Sequence, residues 1–128
     1  MEDDWEKAQS VIDWRRVVKE ASLNTLGLLI NTWAEKKGWN ENVVLSAVVA
    51  NLHSEIIEAW EEIRNGRGID EVYYSVGGKP EGFGIEIADL IIRVLHLISY
   101  FELDIERMMA NKMEYNETRP YRHGNKKS

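Results

Sequence analysis

The chain contains no cysteine. This excludes disulfides, thiolate zinc sites and a cysteine nucleophile, and it suits a reducing compartment. A long apolar run is also missing: no uncharged stretch approaches the roughly 20 residues that span a bilayer. The opening MEDDWEKAQ is acidic and lacks the apolar segment of a secretory signal. Positive charge is in deficit, with a formal net charge of −6 and a pI near 5.1. That balance argues against non-specific binding to nucleic acid or to anionic membranes. Internal repeats and low-complexity blocks are absent. The expectation is a soluble, cytoplasmic protein without nucleic-acid or membrane partners.

Familiar nucleotide and catalytic motifs are missing too. Gly78-Lys79 has the glycine and lysine of a P-loop, but Pro80 follows where serine or threonine is required. Gly82-Phe83-Gly84 lacks the third glycine of a dinucleotide fingerprint. His53, His96 and His123 do not have zinc-ligand spacing, and no serine stands in a nucleophile-elbow context.

What is present is helical periodicity. With 128 residues, 44% hydrophobic and 30% charged, the chain can bury one domain core. Met1–Glu20 carries weak helical spacing and reads as an N-terminal extension, residues 1–20, ahead of a domain over 21–128. Ser22 is suited to cap a helix over Leu23–Lys37, which Gly38 stops. Asn40 or Asn42 is available to cap a second helix, Val43–Arg64. Residues 65–84 hold six of the nine glycines. They predict a long loop with a short hairpin near Val72–Val76, the kind of segment that often carries function. A third helix follows over Ile85–Phe101. Asp104 caps a fourth, Ile105–Tyr115 or slightly longer, and Pro120 ends it. The class is all-α: a bundle of four main helices with a Gly-rich loop between the second and third.

Those two helices carry the chemistry. In Ile85–Tyr100, Glu86, Asp89, Arg93 and His96 interrupt an otherwise apolar run at i, i+3, i+7 and i+10. At about 100° per residue they share one narrow strip, and a helix apolar nearly all round is expected to be buried. On the preceding helix Asn51, Glu55, Glu58 and Glu62 form a similar stripe beside Leu45, Val49, Leu52, Ile56, Ala59, Trp60 and Ile63. Glu55/Glu58 and Glu86/Asp89 each lie at i, i+3, so both carboxylates of a pair leave on the same side. Two such helices aimed at one another repel unless a cation lies between them. Four hard oxygen donors suit Mg²⁺, or Mn²⁺, with coordination positions left for a phosphate. Solvated bundle faces are the competing reading. Lys112, Asn116 and Arg119, at about helical spacing, then Arg122, His123 and Lys126, can cradle phosphates. They equally suit the negative end of a helix dipole. Trp33, Trp39 and Trp60 read as core, with Trp39 at a loop edge also able to meet a ligand.

In this order the residues resemble the MazG-like, all-α nucleoside triphosphate pyrophosphohydrolases. That family carries Glu-Glu-x-x-Glu on one helix and Glu-x-x-Asp on the next, across a variable loop. The second motif is complete here as Glu86-Ile87-Ala88-Asp89. The first is Ser54-Glu55-Ile56-Ile57-Glu58, with serine at the leading glutamate. WAEKKGW before the motifs and KMEYNETRPYRHG after them also resemble small members, so the likeness spans about residues 23–127. It implies metal-dependent cleavage between the α- and β-phosphates, releasing a nucleoside monophosphate and pyrophosphate. By carry-over Glu55, Glu58, Glu86 and Asp89 hold Mg²⁺, with Glu55 available as ligand or base. Lys112, Asn116 and Arg119 are implied to contact the phosphates or the nucleotide. From their positions, Trp39 with Asn31 and Trp33 is expected to line the pocket, and Lys79 to ride a loop that closes over substrate. Dimers or tetramers are implied. The alternatives are a non-enzymatic helical protein-binding module, or the same fold acting on a phosphoribosyl-linked nucleotide.

Overall fold

The computed structural model describes residues 12–121, which form five helices and one two-stranded antiparallel ladder. Helix α1 (Trp14–Glu20) lies within the extension, whose residues 1–11 are outside the described part. Helix α2 (Leu23–Lys36) begins as expected at Ser22, whose hydroxyl accepts from the Thr25 amide at 3.3 Å. Helix α3 (Leu45–Arg64) differs at its start. Val44 is the N-cap and supplies no side-chain bond, and Asn42 sits in the left-handed region with φ 55°. Asn40 is unavailable as a cap because its amide is committed elsewhere, to the site described below.

The glycine-rich connector forms a hairpin, though not within Val72–Val76 alone. Strand β1 (Tyr73–Tyr74) pairs with β2 (Pro80–Glu81), in register Tyr73↔Glu81 and Tyr74↔Pro80. The Tyr73 hydroxyl donates to Glu62 at 2.8 Å and the Arg67 guanidinium lies 3.8 Å from the Tyr73 ring centroid, which ties the hairpin back to α3. Helix α4 (Phe83–Tyr100) starts two residues before the expected Ile85. Its N-cap, Gly82, has φ 134°, and a Cβ there would run into the Glu71 carbonyl oxygen. Only glycine permits that junction. Helix α5 (Ile105–Glu117) is capped by Asp104, which accepts from the Arg107 amide at 3.1 Å.

Helix α4 is the axis, packed against α2 on one side and α3 on another, while α5 rests on α2. At Gly27 an added Cβ would stand 3.1 Å from the Leu95 carbonyl oxygen, so α2 and α4 approach backbone to backbone. Asn24 locks α5 in place: its Oδ1 accepts from the Ile105 amide at 3.1 Å and its Nδ2 donates to Asp104 at 2.8 Å. Its own amide donates to Glu106 Oε2 at 2.8 Å.

Burial corrects one expectation. Among the described residues the buried hydrophobic ones are Ile30, Ala34, Ala59 and Leu95, and no large side chain is fully enclosed. Helix α4 is not wrapped all round, since Ile91 and Ile92 remain exposed. On α3, Leu45, Val49, Ile56 and Trp60 also stay exposed. They sit at relative positions 0, 4, 11 and 15 in the sequence, which is one helical face. Two neighbouring helices cannot cover all the apolar surface these sequences carry.

Candidate metal centre

The facing strips of α3 and α4 do converge. Glu55, Glu86 and Asp89 each bring a carboxylate oxygen to within 4.8 Å of the others, a cluster able to hold a metal ion. Each residue is delivered by an identifiable local cause. The i, i+3 spacing sets Glu86 and Asp89 on one side of α4. Glu86 also lies in the first turn, where the helix dipole favours negative charge. Glu55 lies one turn before the buried Ala59, on the side of α3 that packs against α4.

Glu55 is the unusual member. Its side chain is only 10% exposed, and its Oε2 is buried with no hydrogen-bond partner. A buried carboxylate oxygen without a donor is costly, and such an atom calls for a functional account. Burial, then the negative charge of Asp89, pushes the Glu55 pKa up from 4.5 to about 7, against the pull of Arg93. Glu86 is raised as well, first by burial and then by the charge of Glu58. Glu58 therefore stands beside Glu86, although it is exposed and outside the set of three. Hard oxygen donors with one unsatisfied buried oxygen fit a small divalent cation. Ser54, at the position of the leading glutamate, turns its hydroxyl back to the Ala50 carbonyl at 3.3 Å.

Arg93 and the residues behind it were not assigned roles by motif. Its Nε is 3.2 Å from Glu55 Oε1 and 3.5 Å from Asp89 Oδ2, and its Cζ lies 5.1 Å from the Trp39 ring centroid. The signal in the sequence was its place on the acidic strip, one turn after Asp89. His96, one turn further, is buried, and burial pushes its pKa down. Asn40 explains its state. The Asn40 amide nitrogen donates to Asn31 Oδ1 at 2.9 Å and to Glu35 Oε2 at 2.7 Å. Its oxygen, 2.6 Å from His96 Nε2, can only accept. His96 Nε2 is therefore the donor in this contact.

Trp39 packs edge-on against both Trp33 and His96, with centroids 4.9 and 5.6 Å apart. Trp39, Val48, Asn51, Arg93 and His96 line a cavity of about 300 Å³ that adjoins the acidic cluster through Arg93. A larger hollow of about 390 Å³ borders Asn24 and Asp104. Those two are already spent on the α2–α5 clasp, so the smaller cavity is the better ligand site.

The remaining expected residues do not join the cluster through contacts within the chain. Lys112 lies over the Tyr115 ring at 5.1 Å, and the Asn116 amide donates to Met113 Sδ at 3.7 Å. Arg119 is exposed just beyond α5, with its amide donating to the Asn116 carbonyl. Lys79 pairs with Glu81 at 3.7 Å on the hairpin. Arg122, His123 and Lys126 lie outside the described residues. No helix among the described residues is long and apolar enough to cross a membrane. No family model, curated protein or solved structure matches the chain, so its functional reading rests on this geometry and on the acidic motifs.

Proposed function

We propose that the protein is a Mg²⁺-dependent nucleoside triphosphate pyrophosphohydrolase of the MazG-like type. It cleaves between the α- and β-phosphates and releases a nucleoside monophosphate and pyrophosphate. The observation that carries the reading is the convergence of Glu55, Glu86 and Asp89 around a buried, partnerless carboxylate oxygen. A divalent cation held there supplies charge neutralisation for a triphosphate and a more acidic bound water.

The chain's own groups divide the remaining work. Glu55, Glu86 and Asp89 hold the ion, and Glu58, beside Glu86, suits a fourth ligand or a base that takes the proton from water. The cavity of Trp39, Val48, Asn51, Arg93 and His96 takes the nucleoside, because an indole, an imidazole and Val48 line it beside the polar Asn51 and Arg93. Lys112 and Arg119, with Asn116, offer a cationic edge for phosphates, and Lys79 on the hairpin offers another. We further propose self-association, as a dimer or tetramer, through the exposed Leu45, Val49, Ile56 and Trp60 face of α3.

Phosphorus NMR of the protein with ribo- and deoxynucleoside triphosphates, with and without Mg²⁺, tests the reaction. Pyrophosphate is expected only with metal, and not with Asp89→Asn. Orthophosphate as the product, or turnover indifferent to Asp89, would overturn the proposal.

A further inference from the structure

Arg93 occupies two roles that cannot both be filled once the acidic cluster is loaded. It is the one basic side chain paired with Glu55 and Asp89 among the described residues, and it is the one charged residue lining the adjacent cavity. Its grip on the acids is loose. Both contacts run through Nε, at 3.2 and 3.5 Å, whereas a strong charge-assisted bond is about 2.7–2.9 Å. One guanidinium also faces several carboxylates and leaves Glu55 Oε2 unpartnered. The ion pair therefore leaves the acidic cluster incompletely satisfied. On the other side, the Trp39 ring centroid lies 5.1 Å from the guanidinium, and His96 Nε2 is engaged by the Asn40 oxygen. The cavity therefore has an aromatic wall, an imidazole and the Asn51 amide, and Arg93 is its one permanently charged lining residue among the described residues.

We propose that Arg93 is an exchangeable counter-ion: a divalent cation displaces its guanidinium from Glu55 and Asp89, and the freed fork turns into the Trp39–His96 cavity to donate to a nucleobase carbonyl. The inference rests on the nucleotide reading above and adds a coupling between the metal and base subsites. Cation repulsion drives the exchange, and it also makes Arg93 a competitor of the metal. Arg93 is a specificity-determining residue in this scheme, not a ligand of the ion.

Free nucleosides, having no phosphate, separate this coupling from metal–phosphate contacts. Ligand-observed NMR with the common ribo- and deoxynucleosides should show Mg²⁺ tightening the best binder by about 5- to 150-fold, the usual range of site–site coupling. By reciprocity that nucleoside should tighten Mg²⁺ binding by the same factor. Arg93→Met should bind nucleoside weakly and without metal dependence, yet bind Mn²⁺ more tightly than the native chain. A merely structural arginine would give the opposite metal effect, since its loss would loosen the site. Arg93→Lys should keep metal affinity near native. Metal-independent nucleoside binding by the native chain, or no nucleoside binding at all, overturns the proposal even if pyrophosphate release is intact. The native-chain arm needs no variant to fold. Failure of pyrophosphate release with the nucleoside coupling present would instead count against the reaction and leave this exchange standing.

Discussion

Replacing Glu55 by glutamine should make the metal-free protein more stable at alkaline pH, although it removes an ion-pair partner of Arg93. The magnitude follows from the raised Glu55 pKa, 4.5 to about 7. A folded pKa above the unfolded one means that the native state holds an extra proton between those values. Stability from this group is thus complete below about pH 4.5 and is lost as pH rises through about 7. At 1.36 kcal/mol per pKa unit the loss is about 3 kcal/mol by pH 8. For a chain of this length that corresponds to roughly 10 °C in Tm. Glu86 titrates in the same sense, whereas His96, with a lowered pKa, works in the opposite sense below its ordinary value of 6.5. The His96 contribution is shared by native chain and variant and cancels, whereas Glu86 shares a hydrogen bond with Glu55, so the difference reports the Glu55–Glu86 pair with Glu55 as its buried member. Urea unfolding in EDTA at pH 5, 6, 7 and 8, at one protein concentration, should show the two curves diverging as pH rises. Parallel curves, or a variant less stable than the native chain at pH 8, would refute the assignment of an uncompensated buried charge. Adding Mg²⁺ should reverse the order at pH 8, because ligand binding to the native state stabilises it by mass action.

Asp89→Asn should lower metal-dependent pyrophosphate release by at least about 100-fold, since losing a ligand should exceed the effect of losing an outer-shell partner. A coupled pyrophosphate assay measures this. Asn24→Ala should cost about 1–3 kcal/mol in urea unfolding, because it leaves the Ile105 and Glu106 amides and the Asp104 clasp without their partner. Trp60→Asp should shift sedimentation velocity toward the monomer if the exposed α3 stripe is where copies meet, with helical circular dichroism unchanged. A retained oligomer would place that contact elsewhere.

Much of this structure was legible from periodicity and capping. Ser22 and Asp104 cap the helices they were expected to cap, and three of the four expected acids, Glu55, Glu86 and Asp89, come together, while Glu58 stays exposed outside the set. Asn40 and Gly82 were not legible, and for a common reason. The start of α3 looked like an asparagine cap because such residues commonly cap locally, but Asn40 is drawn off by Asn31, Glu35 and His96. The start of α4 moved to Gly82 because the hairpin brings the Glu71 carbonyl against it. Both depend on contacts beyond the helix each residue would cap. Burial was overread for a similar reason. An apolar run states how much surface wants covering, not whether one chain covers it, and Ile91, Ile92 and Trp60 remain open. The cavity beside Arg93 needed three separate segments, around Trp39, Val48 and His96, to come together.

Mn²⁺ titration followed by electron paramagnetic resonance tests the metal centre most directly, on the native chain and on Asp89→Asn. Saturable binding that Mg²⁺ competes away, and that the variant loses, is the expected result. Absence of Mn²⁺ binding, or equal binding by Asp89→Asn, would contradict a metal site at Glu55, Glu86 and Asp89.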